Sequence, residues 1–91
     1  MTLKRYLTIP NDQMNIIKIE KSNDLIKLDL YASNLTLIES NSFVDIYTTN
    51  FYMQTLAKKH NIKKVLFIIH DKNNNSVDVS IAEEESAFFI T

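Results

Sequence analysis

The chain has no glycine anywhere in its 91 residues. Glycine takes positive φ without steric cost and lets backbone approach a ligand closely. A P-loop, a glycine-rich dinucleotide-binding turn and a nucleophile elbow all depend on it, so all three are excluded. Left-handed turn positions must fall to asparagine, which tolerates that region better than other side chains do. Asparagines stand where turns are needed, at Asn11, Asn23, Asn61 and the run Asn73-Asn74-Asn75.

The remaining composition bounds the class. Hydrophobic residues at 45% and charged residues at 23% are ordinary for a folded domain and argue against disorder. A chain of this length is expected to form one domain, residues 1–91. The net charge of −1 lacks the basic excess of a phosphate-driven nucleic-acid binder. No cysteine is present, which removes thiol catalysis, zinc fingers and iron–sulfur clusters and favours a reducing compartment. The opening Met1 to Ile9 holds no apolar run of signal-peptide length, and the longest apolar run, Val65 to Ile69, is too short to span a bilayer. No membrane contact and a cytoplasmic location are expected. On that reading the sequon Asn34-Leu35-Thr36 carries no meaning. Richness in Asn, Ile and Lys hints at an AT-rich genome such as that of a phage or mobile element.

Periodicity gives the elements. Residues 3–9 read as a strand stopped by Pro10, with Asn11-Asp12-Gln13 as a turn. In 15–21, Ile17 and Ile19 alternate with Lys18 and Glu20; in 25–31, Ile26, Leu28 and Leu30 alternate with Lys27 and Asp29. Such alternation marks half-buried strands, and Ser22-Asn23-Asp24 joins them as a hairpin. Two registers bring the apolar faces together. One sets Lys18 opposite Lys27; the other sets Glu20 opposite Lys27 and Lys18 opposite Asp29. Opposed charges favour the second, with a loop over 22–25.

Residues 35–38 read as a short strand. A helix follows over about 42–60: Ser42 and Asp45 resemble a capping box, and Phe43, Ile46, Tyr47, Met53, Leu56 and Ala57 fall on one face. The β-formers from Phe43 to Thr49 compete with that reading over its first turns. Lys58, Lys59 and His60 suit the negative end of the helix dipole. Asn61 fits the left-handed position after the last turn, and Ile62 can fold back onto it. The unbroken run Val65–Ile69 reads as a central strand buried on both faces. Lys72 to Ser76 makes a hairpin loop, after which Val77, Val79 and Ile81 alternate with Asp78 and Ser80. Glu83-Glu84-Glu85 breaks the pattern, and Ala87 to Ile90 reads as a last short strand. The expected fold is a two-layer α+β sandwich: one mainly antiparallel sheet of five to seven strands on one principal helix.

Candidate chemistry is sparse. His70-Asp71 ends the apolar strand, where a His–Asp pair could orient a general base, but neighbours in a strand point to opposite faces and no nucleophile is identifiable. His60, His70, Asp71 and Glu83 to Glu85 match no metal-ligand spacing. No metal or cofactor is expected. The basic cluster Lys58, Lys59, Lys63 and Lys64, with Tyr52 nearby to stack on a base, supplies a nucleic-acid reading; Arg5 is the one arginine, so bidentate phosphate contacts are scarce. Tyr6, Tyr31 and Tyr52 are expected on outward positions, where aromatics suit interfaces. In a terminal strand Phe88 and Ile90 would face the core and Phe89 would look outward, ready to pair with a second copy. The reading that follows is a small non-enzymatic binding or regulatory protein working through protein contacts, with a partner or as a homodimer. A nucleic-acid binder using the lysine cluster and a small-ligand protein or enzyme with a site near His70 are the alternatives.

Overall fold

A computed structural model describes residues 14–91. The strand expected at 3–9, its stop at Pro10, the following turn, Arg5 and Tyr6 lie outside the described residues. The elements run β1 (Asn15–Lys21), β2 (Ile26–Tyr31), β3 (Leu37–Phe43), α1 (Ile46–Lys59), β4 (Val65–Asp71) and β5 (Ser76–Ala82), with a 3-10 turn at Glu85–Ala87. They form an α+β fold, in which one five-stranded sheet of order β3-β2-β1-β4-β5 packs against one helix. All neighbours are antiparallel except β1 and β4, which run parallel.

The hairpin takes the register that the charges favour, with Lys18 opposite Asp29 and Glu20 opposite Lys27. Ile17 and Ile19 of β1 and Ile26, Leu28 and Leu30 of β2 are buried toward α1. Met53, Leu56 and Ala57 meet them from the helix. β4 lies inside the sheet between β1 and β5, while the middle place belongs to β1. Its unbroken apolar run serves two clusters. Val65 and Phe67 face α1, whereas Leu66 and Ile68 pack with Met14 and Ile16 on the other side.

Three expectations need correction. The helix begins at Ile46, not Ser42, and Ser42 and Phe43 belong to β3. Asp45 is the cap: its backbone is extended, and its carboxylate accepts from the Thr48 N–H at 2.7 Å and the Thr48 hydroxyl at 2.9 Å. Phe43, paired with Ile26 and with its ring 5.0 Å from Tyr52, gains more as the end of a strand than as a first helical turn. The strand expected at 35–38 accordingly starts at Leu37 and runs on to Phe43. Tyr47, placed by the longer helix on the inward face, points to solvent.

The last strand is absent as well. After the 3-10 turn, residues 88–91 are held by two amides one helical turn apart. Gln54 Nε2 donates to the carbonyls of Glu85 and Phe88, both at 2.9 Å. The Asn50 side chain donates to Ile90 O at 2.8 Å and accepts from Ile90 N at 2.7 Å. Backbone groups that a sheet would have satisfied are satisfied by the helix.

Asparagine does serve the positive-φ positions at Asn61 (φ 51°) and Asn75 (φ 51°); Leu35 (φ 72°) is an exception, packed against the second cluster. At Asn61 the chain leaves α1, and the next N–H, of Ile62, donates back to Ala57 O at 2.8 Å while the Ile62 side chain is buried. Asn61→Gly is expected to be neutral or stabilising. Asn61→Val is expected to lose about 1 kcal/mol or more, because a β-branched side chain resists positive φ. Thermal melts of the two variants check this, and a wild-type melting temperature for Asn61→Val would refute it.

Candidate functional site

The turn of α1 settles what faces outward. Thr49, Met53, Leu56 and Ala57 are buried, which fixes the inward stripe. Positions two residues before Thr49 and Met53 then lie on the far side. They hold Tyr47, 87% exposed, and Phe51, 74% exposed, one turn apart. Val44, just ahead of the Asp45 cap, is exposed too, and with Tyr47, Leu25 and Lys21 it lines a shallow depression between the β1–β2 loop and the start of α1. The tail adjoins this face. Asn50 and Gln54, which clamp it, sit beside Tyr47 and Phe51 on the helix, and Phe89 emerges between the buried Phe88 and Ile90 at 53% exposure. Lys21 Nζ donates to Thr91 O at 3.5 Å, which brings the chain end toward the same depression.

A second grouping lies where the end of α1 meets β3. The His60 ring nitrogen Nε2 stands 2.6 Å from Glu39 Oε2, to which Lys59 Nζ also donates at 3.0 Å. The Tyr52 hydroxyl donates to Glu39 Oε1 at 3.4 Å. The hydrogen bond with His60 and then that from Lys59 hold the Glu39 carboxyl below its ordinary range, against the opposing effect of desolvation. Burial, followed by the Glu39 charge, pushes the Tyr52 hydroxyl up. These contacts tie β3 to the helix end. They also occupy groups that the basic-cluster reading would need.

The structure disperses that cluster. Lys59 faces Glu39, and Lys64 Nζ is 3.6 Å from Glu83 Oε1. Lys58 and Lys63 share a shallow depression with Glu83 and Glu85, so the local charge is mixed. Tyr52 turns to Phe43 and Glu39 and is half-buried, as is Tyr31, so neither is the outward aromatic that the sequence suggested. His70, next to last in β4, lies opposite Val77, and Asp71 accepts from the Asn73 N–H at 3.0 Å to close the β4–β5 turn. That turn accounts for the Asp71 carboxylate.

Phe89 does look outward, though from a turn and not from a strand. Tyr47, Phe51 and Val44 escaped the sequence reading, and the signal for them was available. Capping the helix at Asp45 with its Thr48 partner sets the inward face on Thr49, Met53, Leu56 and Ala57 and turns Tyr47 and Phe51 out. Among the described residues, no helix is long and apolar enough to cross a membrane, and no three His, Asp or Glu side chains gather as a metal site would require. Comparison with models of protein families, with curated proteins and with solved structures finds no match to this chain.

Proposed function

We propose that the protein is a non-enzymatic binding module that acts through protein–protein contacts, docking a partner chain on the outward face of α1 and the adjoining tail. The observation that carries this reading is the pair Tyr47 and Phe51, almost fully exposed on a helix whose opposite face is buried. Large aromatics in water add nothing to the fold, whereas aromatic anchors dominate protein interfaces. Their spacing of one turn is that of helix-in-groove recognition. Val44 and Phe89 widen the apolar area. Lys58, two turns beyond Phe51 and exposed, borders this area beside Glu83 and Glu85, so the rim carries charges of both signs. The partner is thus a protein with an apolar groove bordered by polar and charged groups.

The double variant Tyr47→Ser, Phe51→Ser tests it with two readouts. Folding stability is expected to stay within about 0.5 kcal/mol per substitution, as for other exposed positions. Chains that co-purify with the wild type from its native cell are expected to be lost with the double variant and kept with Thr55→Ser, an exposed change on the same helix. A stability loss of several times that size would show the two aromatics to be core in solution. Unchanged co-purification would show that the partner binds elsewhere. Either result overturns the reading.

A further inference from the structure

Among the described residues the sheet has two edges, β3 and β5, and they are protected unequally. Native edges are blunted by bulges, lysines, prolines or side chains that take up backbone groups. β3 has a register shift between Leu30 and Tyr31 of its partner, and the Asn41 side chain accepts from the Ser42 N–H at 2.9 Å. β5 has no such device. It pairs with β4 without a break from Ala82 to Ser76. Its sequence, Ser-Val-Asp-Val-Ser-Ile-Ala, contains no proline and no lysine, and Asp78 is its one charge. Val77 and Ile81, at 39% and 43% exposure, stand with Val79 on the sheet face away from α1, beside the second apolar cluster.

We propose that β5 pairs antiparallel with β5 of a second copy about a two-fold axis normal to the sheet and centred on Val79, joining the two sheets into one. The strand is its own complement in that register. In an antiparallel pair, residues directly opposite share a face. Centring on Val79 sets Val77 opposite the partner's Ile81 on the apolar face. On the other face it sets Asp78 opposite the partner's Ser80, whose hydroxyl can donate to the carboxylate, and symmetry makes that contact twice. All of β5 takes part, since Ser76 then meets the partner's Ala82. The neighbouring registers are worse. Centring on Asp78 puts two carboxylates directly opposite each other, and centring on Ser80 puts Val77 against the partner's Glu83. The charge and apolar pattern therefore selects a second copy over an arbitrary strand, and it selects one register. This inference does not rest on the α1 face.

The test is solution mass by light scattering together with two opposed substitutions at the exposed Ser80. A single strand pair is a small interface, so the wild type is run at about 100 μM, where a weak complex of this class is populated. A mass of twice 10.6 kDa is expected. Ser80→Asp, which sets a carboxylate opposite Asp78 of each copy, is expected to weaken the dimer. Ser80→Lys, which makes two cross-strand ion pairs, is expected to tighten it, each by roughly 2- to 30-fold in Kd. Phe51→Lys should leave the mass unchanged. A wild-type monomer overturns the proposal. So does a dimer that ignores both Ser80 changes or moves the same way with each. A dimer abolished by Phe51→Lys and untouched at Ser80 assigns self-association to α1 and overturns it equally.

Discussion

Replacing Phe67 by alanine is expected to cost about 3–5 kcal/mol of folding stability. Phe67 sits on β4 opposite Ile17 of β1 on one side and Ser80 of β5 on the other, on the sheet face that meets α1. It is buried, and its ring meets that of Phe88 edge-on, with centroids 6.2 Å apart and planes at 71°. Truncation removes the transfer free energy of the ring and leaves a cavity that a paired interior strand cannot close by moving. The total stability of a domain of this size is about 5–10 kcal/mol, so the variant keeps a small margin. In a denaturant titration the midpoint should fall steeply at unchanged slope, and the melting temperature should drop by roughly 10 °C or more. A melting temperature within a degree or two of wild type would mean that Phe67 is not part of the core.

The parts of this fold that were legible in the sequence share a cause. Where one local choice carries a large energetic contrast, the residues declare it. Lys18, Glu20, Lys27 and Asp29 decide the hairpin register, because the alternative sets like charges opposite each other. Asn61 marks the end of α1, because a chain without glycine has few residues that accept φ of 51°. The run from Val65 to Ile69 declares a strand with both faces covered, and Val65 to Ile68 are buried while Ile69 is half-buried.

The failures share a cause too. Residues 42–49 satisfy a helical pattern and a strand pattern almost equally well. What decides between them is the pairing of Phe43 with Ile26 and its ring contact with Tyr52, a contact across the fold that no local window contains. Moving the helix start to Ile46 turns Tyr47 outward, so a helix begun at Ser42 hides the exposed aromatic pair Tyr47 and Phe51. The tail is a similar case. Alternation of Phe88, Phe89 and Ile90 suggests a strand, yet the same in-out-in pattern arises after a 3-10 turn once Gln54 and Asn50 supply the hydrogen bonds. Phe89 is outside because it follows a turn, not because it belongs to a strand. The lysine cluster shows the same dependence on contacts across the fold. Five residues apart in sequence, Lys59 and Lys64 pair with Glu39 and Glu83, carboxylates from different parts of the chain.

The tail supplies the sharpest contrast between neighbouring residues. Phe88→Ala is expected to cost about 3–5 kcal/mol, whereas Phe89→Ala should fall within about 0.5 kcal/mol of wild type. Phe88 is fully buried against the sheet, and it follows directly on the three-residue turn at Glu85–Ala87. A terminal segment normally frays, because ordering it costs backbone entropy that exposed residues cannot offset. Here Gln54 and Asn50 hold the carbonyls of Glu85, Phe88 and Ile90, which leaves the Phe88 ring no direction but inward. Loss of that ring removes the largest apolar contact of the segment, while Ile90 and the Asn50 and Gln54 hydrogen bonds remain to hold it. The ring pair can be isolated by a double-mutant cycle. With Phe67→Ala and Phe88→Ala made singly and together, a coupling of about 0.5–1.5 kcal/mol is expected from the edge-on contact. Singles that sum to the double within about 0.3 kcal/mol would show that the two rings stabilise the domain independently, and a Phe88→Ala variant as stable as Phe89→Ala would show that the tail is not docked on the core.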